Sequence, residues 1–90
     1  MSVIRKKILR EYFEKIITGE KKFELRLADF EIGEGDILVL EEWDKKEKQY
    51  TGRKIETNVT YILKTKDISF WTKEEIDKYG FQIIQFDVKK

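Results

Sequence analysis

A change of hydrophobic period at Gly19 constrains this chain more than any other feature. Upstream of it, Leu9, Tyr12, Phe13, Ile16 and Ile17 recur at helical spacing, with Arg10, Glu11, Glu14 and Lys15 on the other side. Glu11 and Lys15 form an i,i+4 pair in the favourable order, and Gly19 is the expected stop. A helix of about ten residues is too short to be stable alone, so its apolar stripe must pack on something. Downstream the period is two. Phe23, Leu25 and Leu27 point one way, and Lys22, Glu24 and Arg26 point the other. The expectation is a strand with its apolar face in the core and its charged face toward a groove.

The other segments read in the same manner. Val3 to Ile8 is a short first strand. Asp29 to Gly35 is a polar connector, and Asp36 to Trp43, with the run Ile37-Leu38-Val39-Leu40, is a central strand. Asp44 to Gly52 reads as a solvated hairpin tip. Arg53 to Leu63 alternates again, with Ile55, Thr57, Val59, Tyr61 and Leu63 on one face. Ser69 to Tyr79 holds a second short helix with Thr72 and Glu75 as a capping box and Gly80 as its stop. Phe81 to Val88 closes the chain as a strand. The order is β-α-β-β-β-α-β. These helices are too short for a doubly wound sheet. The expected fold is α+β, mainly β: a small barrel of five to six mostly antiparallel strands, capped by two short helices.

The 90 residues make one domain, residues 1–90. Nineteen basic residues face eighteen acidic ones, so a nucleic-acid surface must come from local segregation of charge. Cysteine and histidine are absent, which excludes disulfides, zinc sites of the usual kind and triads that need an imidazole. The acidic residues are spread along polar faces, so neither metal nor cofactor is expected. With no long apolar run and no signal-peptide pattern, a cytoplasmic protein without membrane contact is expected.

Tyr12-Phe13, Ile16, Gly19 and then Lys21-Lys22-Phe23-Glu24-Leu25-Arg26 resemble the signature of the ASCH domain. Gly35 to Leu40, Glu42-Trp43-Asp44, Tyr50-Thr51-Gly52-Arg53 and Val59 to Leu63 are similar to an ASCH-related family of unknown function. The resemblance covers about Ile8 to Leu63. It implies a PUA-like barrel and a role in RNA binding. Some small ASCH proteins are amidohydrolases of N(4)-acetylcytidine that use a lysine, a threonine and a glutamate. Lys21 matches the lysine, but Glu24 stands where they have the threonine. That departure removes the hydroxyl nucleophile and moves the reading from catalysis toward binding.

The candidate RNA- or nucleoside-binding residues are Lys21, Glu24, Arg26, Trp43, Tyr50 and Arg53. Arginine can hold a phosphate or base edge with two hydrogen bonds, lysine adds a point charge, and glutamate can orient the arginine. The competing reading of the first three is a surface salt bridge. Trp43 and Tyr50 either stack on bases or pack on each other across the hairpin. Arg53 either contacts phosphate or pairs with Glu41 or Glu42. Asp29 is expected to cap its loop rather than hold Arg26, and Phe70 with Trp71 to form a hydrophobic staple or core plug rather than stack on a ligand. Arg5, Lys6, Lys7, Lys89 and Lys90 would form a basic patch if the terminal strands paired. An alternative is an enzyme, an amidohydrolase or an RNA-processing activity, with Lys21 and either Glu24 or Glu74 as its catalytic pair. A second alternative is a protein-interaction module.

Overall fold

The structure is a computed structural model, and it describes residues 1–65 and 71–89. The elements follow the order β1 (Val3–Leu9), α1 (Arg10–Ile17), β2 (Phe23–Leu27), β3 (Ile37–Asp44), β4 (Gln49–Lys64), α2 (Lys73–Lys78) and β5 (Phe81–Val88). They form one mainly β sheet of order β1-β3-β4-β5-β2. β1 runs parallel to β3, and the other neighbours are antiparallel. The sheet curls into a half-barrel with β1 and β2 as its two edges. The expected barrel is thus open along one seam, which side chains rather than a backbone ladder span.

The core fills the concave side. Ile8 of β1, Phe13 and Ile16 of α1, Leu38 and Leu40 of β3, Ile55 and Val59 of β4, and Ile84 and Phe86 of β5 form one buried cluster. α1 lies on β1 and β3 through Phe13 and Ile16, as its apolar spacing requires. Gly19 (φ +83°) turns the chain out of the helix, and its N–H donates to the Ile16 carbonyl at 3.1 Å. The Thr72 hydroxyl accepts from the Glu75 N–H at 3.3 Å, so α2 begins with the expected cap. Among the described residues no helix is long and apolar enough to cross a membrane.

Two bulges decide which side chains meet. Between β3 and β4, Glu41 pairs with Lys54 and Trp43 with Tyr50. β4 therefore carries Thr51, Gly52 and Arg53 opposite Glu42 alone. Gly52, at φ +95°, supplies the backbone turn this needs. Further along β4, Val59 pairs with Phe86 but Tyr61 with Gln85. The extra residue, Thr60, is held there by its hydroxyl donating to the Gln85 carbonyl at 3.2 Å.

Three expectations are corrected. Phe23, Leu25 and Leu27 are exposed, and Glu24 is the buried residue of β2. Alternation decides which residues share a face, not which face is covered, and two cations neutralise Glu24 where it is buried. Tyr61 and Leu63 are also exposed, because the Thr60 bulge reverses the faces after Val59. The basic patch does not form, because β1 and β5 are not neighbours. Arg5 faces Glu41, Lys6 lies over Phe30, and Lys89 faces Glu56. Lys90 and Phe70 lie outside the described residues.

Candidate functional site

The seam between β1 and β2 is a groove of about 440 Å³. Lys7, Tyr12, Lys21, Phe23, Glu24 and Arg26 are among the residues that line it. Its centre is the Glu24 carboxylate, whose side chain is only 7% exposed. Lys21 Nζ donates to Glu24 Oε1 at 3.0 Å, and Arg26 Nε donates to Oε2 at 2.8 Å. Lys21 also donates to the Phe23 carbonyl, and Arg26 Nη2 donates to the Lys7 carbonyl on β1. The strand puts Glu24 and Arg26 on one face, and the turn after α1 brings in Lys21.

One carboxylate thus holds two cations, so the groove keeps a local excess of positive charge. Each Glu24 oxygen accepts from one of these donors, so the carboxylate fixes the positions of both cations. The guanidinium retains further N–H donors beyond the two it uses here. The Lys21 ammonium lies 4.7 Å from the centre of the Phe23 ring and 5.8 Å from that of Tyr12. Cations beside aromatic faces suit a flat, anionic or electron-poor ligand.

Arg53 is placed elsewhere. Its Nε and Nη2 donate to Glu42 at 3.0 and 2.7 Å, and Nη2 also donates to Glu14 on α1. The Glu42 side chain is fully buried and accepts a further bond from the Thr51 hydroxyl, with Arg10 Nε at 3.8 Å. The Arg53 hydrogen bonds and charge hold the Glu42 carboxyl below its ordinary range, and Glu42 and Glu14 hold the Arg53 guanidinium more firmly protonated than usual. The guanidinium also lies 4.7 Å from the Phe13 ring centre. This network staples α1 to the hairpin. The Thr-Gly-Arg sequence has its physical meaning here, because the bulge at Gly52 turns Thr51 and Arg53 together onto Glu42.

Trp43 and Tyr50 pack edge to face across the hairpin, with ring centres 5.0 Å apart. Lys7 Nζ lies over the Trp43 ring at 3.7 Å. Lys7 therefore touches both regions, with its carbonyl on Arg26 and its ammonium on Trp43. Asp29 is exposed, and the acidic partner of Arg26 is Glu24. Glu74 lines a separate cleft with Leu27, Trp71 and Phe81, away from Lys21. Sequence reasoning singled out neither Lys7 nor Phe23 as a groove residue. Lys7 contributes a backbone carbonyl, which no side-chain pattern reveals, and the alternation of β2 groups Phe23 with the core residues. Among the described residues no group of three or more carboxylates gathers as a metal site would require.

Fold and groove together define a small α+β half-barrel with a charged, aromatic-rimmed seam. The chain belongs to the family described as domain of unknown function (DUF3850), whose model matches residues 5–75. It is 33% identical over 70 residues to an uncharacterized 12.9 kDa protein in the GpA 3′ region of Escherichia phage P2. That match covers 78% of this chain and 60% of the phage protein's length. The crystal structure of hypothetical protein PH0355 is similar to it, with a TM-score of 0.66 and 23% identity over 99% of this chain and 100% of that one. At that identity the likeness bears on the fold.

Proposed function

We propose that this is an ASCH-type, PUA-like domain of the cytoplasm that binds RNA or a modified nucleoside in the seam groove. The observation that carries the reading is the convergence of Lys21 and Arg26 on the buried Glu24, beside Tyr12 and Phe23. The carboxylate holds both cations in place before a ligand arrives, which lowers the ordering cost of binding. Arg26 then offers its remaining donors to a phosphate or base edge, and the aromatic rim offers a stacking surface. Arg53 serves the fold, and Trp43 enters only as the neighbour of Lys7.

Titration of labelled single-stranded RNA and of cytidine nucleosides at one stated salt concentration tests this. Binding weakened about tenfold by Lys21→Ala, with the circular dichroism of the sheet unchanged, is the expected result. Absence of binding by the native chain overturns it.

A second reading, amidohydrolysis of N(4)-acetylcytidine, is favoured by one contact, the 3.0 Å pair of Lys21 and Glu24. It requires acetate release that disappears in Lys21→Ala. Glu24, standing where the related hydrolases have a threonine, weighs against it.

A further inference from the structure

The outer face of β2, β5 and β4 is an apolar surface that meets the groove only at Phe23 and Leu25. Phe23, Leu25 and Leu27 of β2 project from it, and cross-strand pairing lines them up with the outer residues of the other two strands. One row across the sheet is Leu25, Ile83 and Leu63. Tyr61 lies in the row with Phe23, and Phe81 lies beside Leu27. Leu25, Tyr61 and Phe81 are each about half exposed. The Thr60 bulge is what brings Tyr61 and Leu63 to this side.

We propose that this face docks on the same face of a second copy of the chain. Three observations point to that occupant. First, Phe23, Leu25, Leu27, Tyr61, Leu63 and Phe81 are each 36% to 54% exposed; six such large side chains offer on the order of 600 Å² per copy, and roughly 1,200 Å² for two is the lower end of the range of stable, specific interfaces. The surface continues through Leu27 and Phe81 into the apolar cleft beside α2, where Trp71 and Tyr79 are exposed. Second, these rows contain no charged side chain, and the flanking charges are mixed. Lys22 and Asp87 border one end, and Lys78, Glu74 and Glu75 the other. Such a rim can meet itself without like-charge repulsion, whereas a nucleic acid or anionic membrane would require excess cations. Third, β2 is turned inside out, with its carboxylate buried and its three large apolar residues exposed. A strand of that kind leaves its hydrophobic stabilisation unused until another surface covers it.

Sedimentation velocity of the full chain from about 1 to 200 µM tests the proposal. The expected species has twice the 10.9 kDa chain mass at the upper concentrations. Leu63→Lys and Tyr61→Lys, neither of which lines the groove, should each weaken association at least about tenfold while the sheet's circular dichroism is kept. Glu56→Lys, on the charged part of β4, should leave it unchanged. A native chain that stays monomeric throughout overturns the proposal. So does a dimer that persists in both folded lysine variants. RNA titration of the same variants keeps this result separable from the groove reading.

Discussion

Arg26 on β2 donates its guanidinium to the backbone carbonyl of Lys7 on β1, across the seam between the two edges of the sheet. The same side chain bonds Glu24 at 2.8 Å. One residue therefore clips the half-barrel and shapes its groove. Under the proposed function, a ligand that engages Arg26 would also act on the open edge.

Arg26→Ala should lower stability by about 2 kcal/mol, the scale of hydrogen bonds that involve a charged group. The loss should be local. Amide hydrogen exchange should accelerate in β1 and β2 and stay unchanged in the β3–β4 hairpin. Uniform acceleration throughout the sheet would show that Arg26 does not act as a seam clip.

Glu24→Ala removes the anion that Lys21 and Arg26 share. Breaking a buried pair by removing one partner costs about 3 kcal/mol. The variant should also lose groove binding, although Glu24 offers a ligand no positive charge. Urea unfolding with RNA titration checks both, and retained affinity would refute the positioning role.

The pH dependence follows from Glu42. Its folded pKa lies below the ordinary 4.5 because Arg53 and Thr51 bond the carboxylate. The unfolded chain therefore binds more protons in that window, and stability rises with pH there. The Glu42 contribution is fully present above about pH 5 and fades as pH falls through the lowered pKa. Asp36, which accepts the N–H groups of Ser2 and Gly33, and Asp44, which accepts those of Lys46 and Glu47, are lowered as well and add the same slope. Glu42→Gln should flatten the melting temperature against pH below about pH 5. An unaltered slope would assign the acid sensitivity to other carboxylates.

Gly52→Ala tests the bulge. No atom beyond the adjoining residues lies within 4 Å of an added Cβ, so only the φ of +95° opposes it. A loss of about 1 to 2 kcal/mol is expected from backbone strain. Gly33→Ala, where φ is ordinary and the nearest atom is 3.9 Å away, should cost less. Equal losses in the two variants would remove the special role of Gly52.

Much of this arrangement is legible in the sequence, and the rest depends on contacts between distant residues. The helical period from Leu9 to Ile17 placed α1, the Thr72 and Glu75 spacing marked the start of α2, and the element order came out as read. Lys21, Glu24 and Arg26 were readable as neighbours because a strand and its preceding turn are local objects. Arg53 was readable as a possible partner of Glu42, but not as the link to Glu14, which lies 39 residues away. Tyr61 and Leu63 were assigned to the wrong side because a single extra residue, Thr60, reverses every side chain after it.

The amino-acid sequence by itself determined the periods, the turns and the division of each strand into two chemical faces. These depend on neighbouring residues, and steric and hydrogen-bonding rules act over a few positions. Tertiary structure alone decided which face of β2 is covered. Burial depends on what distant strands place alongside, and here Lys7 lies across the seam while Ile84 pairs with Glu24. The period change at Gly19 thus set up a strand with one charged and one apolar face. The curl of the sheet turned the charged face into a groove and left the apolar face on the surface.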